Sequence, residues 1–159
     1  MGKVTTCEIE YREAREEDLD ALATAAIEYE KIVAPRPGPG FSVGTFLQDC
    51  RACMKSRNGL LLLAMGPAGI LGGIMGVILS SPRDSDVLLA VEIRWFVFPG
   101  VRGSGVGEKL RIRFEAWGKA SGAKFAMMGC HNEDRRESML KLYQKKGYSF
   151  CEMNVIKEL

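Results

Sequence analysis

The sequence predicts a mixed α/β fold, a central β-sheet flanked by helices in the order β-α-α-β-β-β-α-β-α-β. Three observations carry that reading. An uncharged run from Gly59 to Leu79 is interrupted by Gly66-Pro67-Ala68-Gly69, which marks a buried hairpin. A long alternating segment from Val87 to Phe98 follows it as a strand. On either side, Leu19, Leu22, Ala23, Ala26 and Ile27, then Val106, Leu110, Phe114 and Trp117, recur at helical spacing.

Taken in order, Glu8 to Arg12 opens as a strand and a helix runs from about Glu16 to Val33. The acids Glu16, Glu17 and Asp18 fall in its first turn, where the helix dipole favours them. Ala34-Pro35-Arg36-Pro37-Gly38-Pro39-Gly40 forms neither helix nor central strand and reads as a loop or lid. A second helix spans about Val43 to Lys55, and the hairpin follows. Ser81-Pro82-Arg83-Asp84-Ser85 turns the chain into the long strand. Strict alternation there puts Val87, Leu89, Val91, Ile93, Trp95 and Val97 on one apolar face. Leu88, Ala90, Glu92, Arg94, Phe96 and Phe98 fall on the other. Two charges in mid-strand must reach solvent or find partners in a cleft, because unpaired burial is costly. After Pro99 and a glycine-rich turn comes a helix to about Ser121, stopped by Gly122. A strand from about Lys124 to Cys130, a helix from about Glu137 to Lys146 stopped by Gly147, and one or two strands within Tyr148 to Lys157 complete the chain.

One domain accounts for residues 1–159, since this length supports a single core. Twenty-two basic residues against 20 acidic ones leave a net charge of +2, too small an excess to recruit nucleic acid. The turn inside the Gly59–Leu79 run argues against a bilayer span and hence a membrane partner. The opening residues lack an apolar signal segment, and the expected compartment is the cytoplasm. Five cysteines make an odd set without a disulfide framework. Cys50 and Cys53 form a Cys-x-x-Cys pair, but Phe46, Leu47, Cys50 and Met54 share a helical face, so buried reduced thiols are expected. A zinc site would need two more ligands, and the one histidine, His131, is distant in sequence; no metal is expected.

The turn Arg102-Gly103-Ser104-Gly105-Val106-Gly107 joins a strand to a helix start. It is not a P-loop, because Gly107 is followed by Glu108-Lys109-Leu110. Nor is it a dinucleotide fingerprint, because Glu108 stands where the last glycine belongs. Amide N–H groups at a helix N-terminus, with glycines allowing close approach, still make an anion cradle.

The turn resembles the Arg/Gln-x-x-Gly-x-Gly/Ala motif of the GCN5-related N-acetyltransferases (GNAT family), reached through a similar strand-Pro-x-x-Arg-Gly lead-in. Leu142-Tyr143-Gln144-Lys145-Lys146-Gly147-Tyr148 resembles that family's second signature, Leu-Tyr-x-Lys-x-Gly-Phe, with Tyr148 in place of Phe. The two stand in the family's order, and the resemblance covers most of the chain. It implies a GNAT-like fold and an acetyl-CoA-dependent N-acetyltransferase acting on a primary amine by direct attack. It implies that Arg102, Gly103, Ser104, Gly105, Val106 and Gly107 bind the pyrophosphate, and that Phe96, Val97 and Phe98 pair with the pantetheine arm. It implies that Asn132 contacts the cofactor and that Tyr143 protonates the leaving thiolate.

An attacking amine must be neutral, so a base is needed, acting directly or through water. Glu92 is one candidate, although many relatives carry their glutamate at the position of Arg94; an ion pair between Glu92 and Arg94 is the alternative. His131 is another. Arg135 or Arg136 could serve the phosphates of CoA. The acceptor is left open among polyamines, aminoglycosides, amino acids and protein amines. Family members often dimerise, so a homodimer is a further expectation. The rival functional reading is a catalytically degenerate domain that binds acyl-CoA or acts as an interaction module.

Overall fold

The computed structural model describes residues 9–33, 35–130 and 135–159. In chain order its elements are β1 (Glu10–Glu13), α1 (Leu19–Ile32), α2 (Val43–Lys55), β2 (Gly59–Gly66), β3 (Gly69–Ser81), β4 (Asp84–Val97), α3 (Val106–Ala120), β5 (Phe125–Met127) and α4 (Arg136–Lys145), with 3-10 turns at Glu16–Asp18 and Pro99–Val101. The strands lie in sequence order in one five-stranded sheet. Neighbours pair antiparallel from β1 to β4, and β5 joins β4 in parallel.

The uncharged run is the β2–β3 hairpin, closed by Pro67-Ala68 between Gly66 and Gly69. Its apolar residues are buried on both faces. Leu61, Leu63 and Met75 pack with Leu22, Phe46, Cys50 and Cys53 from α1 and α2. Leu62, Ile74 and Ile78 pack with Leu110 and Phe114 from α3. Sandwiching a sheet in this way explains strands that read as continuous apolar runs. Each large side chain removed from water contributes roughly 1.5–3 kcal/mol. No helix among the described residues is long and apolar enough to cross a membrane.

Capping chemistry fixes the helix starts. Ser42 Oγ accepts from Thr45 N at 3.2 Å, and α2 covers the span its periodicity predicts. The first helix begins later than expected, because Glu16–Asp18 tightens into a 3-10 turn. There Asp18 is a structural anchor rather than a solvated first-turn acid. It accepts from both arms of Arg12, at 2.7 and 2.8 Å, and from Arg15 N at 2.7 Å, tying β1 to α1. The Arg12 hydrogen bonds hold its carboxyl below the usual aspartate range. On α2, Cys50 and Cys53 face inward as predicted, and burial pushes the Cys50 thiol up to about 12.

Three features depart from the sequence reading. The alternation of β4 is not continuous: Met75 pairs with Arg94 and Gly76 with Glu92, leaving Ile93 as the extra residue of a bulge. Parity therefore inverts at this point. Leu88 and Ala90 share the α3 side with Trp95 and Val97, while Ile93 packs on the α1/α2 side. The expected single apolar face from Val87 to Val97 is thus two half-faces, and Glu92 does not share a regular strand face with Phe96. The strand expected over 124–130 is the shorter β5, because beyond Met127 the chain is held by side chains and not by a ladder. Gly129 N donates to Glu92 Oε2 at 3.0 Å, and Gly129 O accepts from the Tyr143 hydroxyl at 2.9 Å. Finally, the segment expected to form strands within Tyr148 to Lys157 has no regular structure. Its apolar residues suit a strand by type, but so short a β5 offers little edge to pair with. Phe150, Met153 and Val155 remain exposed. Ile156 lies against Gly38 of the Pro-Gly loop.

Candidate active site

β4 and β5 pair only through Leu89–Phe125, Ala90–Ala126 and Val91–Met127. Beyond Val91 they part, and β4 runs on to Val97 with one edge lacking a strand partner. That gap opens into a cavity of about 360 Å³. Its walls come from α1, the Pro-Gly loop, α2, the second half of β4, the chain after β5, and α4. The bulge at Ile93 creates the divergence by turning the end of β4 away from its parallel neighbour.

Backbone direction along this edge is specific. Phe98 N donates to Leu71 O at 3.0 Å, so Phe98, and Phe96 two residues earlier, direct their backbone groups toward β3. Val97 between them faces the gap, and its carbonyl accepts from Arg102 Nε at 3.1 Å. The rings of Phe96 and Phe98 pack edge-to-face, each also touching Tyr29. Trp95 also borders the cavity, and its indole Nε1 is buried without an acceptor. An orphaned donor of this kind costs free energy that a ligand carbonyl would recover.

At the mouth of the gap, Gly103 and Gly105 adopt φ of 78° and 88°, a left-handed conformation natural only to glycine. This places Val106, Gly107 and Glu108 at the head of α3, where neither a capping side chain on Gly105 nor an upstream carbonyl accepts their N–H groups. Gly107 has a separate steric reason. A Cβ there would lie 3.3 Å from Val97 and 3.4 Å from Trp95, so glycine lets α3 sit close against β4. The acid at the cradle is neutralised: Glu108 accepts from Arg111 at 2.8 Å and contacts Lys146 at 2.7 Å. Those hydrogen bonds, Arg111 first, depress its carboxyl to about 2. Buried Arg111 also pairs with Glu115, which accepts from the Tyr148 hydroxyl at 2.6 Å, so the end of α4 is tied to α3.

Inside the cavity, Glu92 and Tyr143 hold the two backbone groups of Gly129. Burial raises the Glu92 carboxyl above the ordinary glutamate range, against the opposing pull of the Gly129 N–H, Arg36 and Arg94. Burial, with the Glu92 charge second, holds the Tyr143 phenol well above its usual range. Burial makes the Glu92 carboxylate a stronger base; it keeps the Tyr143 phenol protonated but makes it a weaker acid, so donation from it relies on position beside the acceptor atom. Glu92 and Arg94 do not form the ion pair that was the alternative to a base role; the carboxylate beside Arg94 is Asp49, at 3.4 Å.

Of the residues singled out from sequence, the cavity gathers Glu92, Tyr143, Phe96, Val97 and Arg102. Gly103, Ser104, Gly105, Val106 and Gly107 form the turn beside it. Arg135 borders the cavity and Arg136 opens α4. Asn132 and His131 lie outside the described residues. Sequence reasoning missed Tyr29, Phe46 and Met139 as cavity walls. Their spacing marks core-facing helical positions, and nothing local distinguishes a core face from a cavity wall.

A sheet that splays beside an uncapped, glycine-led helix is an architecture for holding an extended ligand with an anionic end. The chain belongs to the Acetyltransferase (GNAT) family, whose profile matches residues 13–148. Solved structures of the same fold include AAC(6')-Iy in complex with a CoA-S-monomethyl-acetylneamine bisubstrate analogue, at 16% identity and TM-score 0.73, covering 95% of this chain and 97% of that one. An aminoglycoside acetyltransferase from an uncultured soil metagenomic sample, in complex with trehalose, aligns at 16% identity and TM-score 0.70 over 97% of each chain. A Trypanosoma brucei acetyltransferase aligns at 18% identity and TM-score 0.69, covering 96% of this chain and 100% of that one. The comparison with curated proteins found no match.

Proposed function

We propose that this chain is an N-acetyltransferase that uses acetyl-CoA to acetylate a primary amine by direct attack. The observation that carries the reading is the gap between β4 and β5, with Val97 facing it, the orphaned Trp95 N–H and the uncapped start of α3 at one end. These groups fit CoA: the N–H groups of Val106, Gly107 and Glu108 suit a pyrophosphate, and Val97 and Trp95 suit the amides of pantetheine. Bound there, acetyl-CoA supplies the activated acyl group. Glu92, made more basic by burial, takes a proton from the incoming ammonium, directly or through water. Tyr143 gives its proton to the sulfur as the new N–C bond replaces the C–S bond, releasing the Gly129 carbonyl, and regains a proton from the acetylated nitrogen. Phe96, Phe98 and Tyr29 keep water from the α1 side of the gap.

A second reading has an observation of its own. Two proton-handling candidates, Glu92 and Tyr143, are spent on Gly129, as they would be in a domain that binds acyl-CoA and performs no transfer. Product analysis by mass spectrometry separates the two, using acetyl-CoA with a broad amine panel and the Tyr143→Phe variant beside the parent. Acetylated amine from the parent, strongly reduced in the variant, supports transfer. Binding of acetyl-CoA with no product from any amine supports the second reading.

A further inference from the structure

The electrostatics of the cavity narrow the acceptor. Among the described residues, four guanidinium groups, Arg36, Arg94, Arg102 and Arg135, border it against two carboxylates, Glu30 and Glu92. Such a lining opposes a polycation, whose several ammonium groups need several acids. Arg102 is occupied by the Val97 carbonyl and the Tyr29 hydroxyl, and Arg36 faces Glu30 at 3.9 Å. Arg135 stands exposed at the start of α4, which leaves Arg94 as the under-satisfied guanidinium fixed on the sheet. Its Nη2 meets Asp49 only at 3.4 Å, its Nε is buried without an acceptor, and its Nη1 has neither a hydrogen-bond partner nor full enclosure. The guanidinium is held in place by the Phe46 ring, 5.5 Å from its centroid. A rigid planar fork with an unused arm, standing at a cavity, suits a carboxylate.

Glu92 and Arg94 flank the Ile93 bulge and border the same cavity, near enough that the Arg94 charge acts on the Glu92 carboxyl. An acceptor whose amine reaches Glu92 and whose anion reaches Arg94 therefore separates the two by only a few bonds. Tyr29, Phe41, Phe46 and Met139 offer apolar walls for the rest of it.

We propose that the acceptor is a small amino acid, with an apolar or aromatic body, whose carboxylate is held by Arg94 while its amine faces Glu92. This rests on the acetyltransferase reading above and differs from the aminoglycosides for which some structural neighbours are named. Arg94 is then a specificity-determining residue for the acceptor, separate from the CoA cradle at the start of α3.

The test runs in two stages on the whole chain. Thermal stability is first measured with acetyl-CoA; absence of a shift overturns the acetyltransferase reading and this proposal with it. With a shift in hand, kcat/KM is compared for phenylalanine, leucine, phenylalaninamide, phenethylamine, phosphoethanolamine, spermidine and kanamycin. Calorimetry then follows phenylalanine binding to the CoA-bound protein. The proposal expects the free amino acids to exceed the amide and the decarboxylated amine on the order of tenfold or more, as a lost charge-assisted pair would give. Arg94→Gln should collapse that preference and weaken phenylalanine binding, while the acetyl-CoA shift persists as proof of folding. Better turnover of spermidine or kanamycin overturns the proposal. So does better turnover of phosphoethanolamine, an unchanged preference in Arg94→Gln, or no phenylalanine binding to a protein that binds CoA.

Discussion

Tyr143→Phe separates what the phenol does for the fold from what it does for the reaction. In the resting protein the hydroxyl makes one hydrogen bond, to Gly129 O at 2.9 Å, from a nearly buried ring packed beside Trp95 and Tyr148. The ring contacts survive the substitution, so the stability loss is that of one buried hydrogen bond, about 1 kcal/mol. In a domain of this size that lowers Tm by roughly 2–4 °C. If the same hydroxyl protonates the leaving sulfur, the loss in the chemical step is larger, about 10²–10⁴ in kcat. A hundredfold alone corresponds to about 2.7 kcal/mol, well beyond the structural effect. The assay is steady-state release of CoA and acetylated amine by liquid chromatography, with acetyl-CoA affinity measured in parallel. A small drop in Tm, unchanged affinity and a large fall in kcat are expected. Full turnover with the same small drop in Tm would refute the acid role and leave Tyr143 as a clasp on the Gly129 loop.

Other expectations follow from the titrating groups. Glu92 has its folded carboxyl raised above the unfolded value, so its contribution to stability is present at low pH and lost as pH rises through the folded value. Glu92→Gln should therefore raise Tm at neutral pH in a thermal scan, while abolishing the rise of kcat/KM with pH that depends on ionised Glu92. Glu108 has the opposite sign: its carboxyl is depressed to about 2 by Arg111 and Lys146. Its contribution is complete above about pH 4.5 and lost as pH falls toward 2. Tm against pH should fall across that window, and less steeply in Glu108→Gln. Cys50 and Cys53, buried and with raised thiols, should resist alkylation until global unfolding, whereas exposed Cys151 reacts at once; peptide mapping of a labelling time course checks this.

Local chemistry made much of this fold legible. The Pro67-Ala68 turn and its flanking glycines announced the hairpin, and the shared face of Phe46, Leu47, Cys50 and Met54 announced α2. The spacing of Val106, Leu110 and Phe114 fixed α3. What remained illegible depends on residues far apart in sequence. The bulge at Ile93 arises in the pairing of β4 with β3, and no alternation pattern records it. The early end of β5 depends on Glu92 and Tyr143 claiming Gly129. The tail's apolar residues satisfy strand propensity, but propensity does not supply a partner edge. The candidate site divides in the same way: the glycine turn and Tyr143 sit in contiguous motifs, whereas the Arg94–Asp49 contact and the Tyr29–Phe96 wall join segments from opposite parts of the chain.

The central claim, that the uncapped start of α3 and the gap behind it hold acetyl-CoA, is tested most directly by thermal stability with and without that compound. Gly105→Glu is the paired variant, placing a carboxylate at a left-handed cradle position. The account predicts stabilisation of about 2.7 kcal/mol when acetyl-CoA is present at about a hundred times its dissociation constant. It predicts that the less stable but folded Gly105→Glu loses that response. No shift in the parent protein, or an equal shift in the variant, would contradict it.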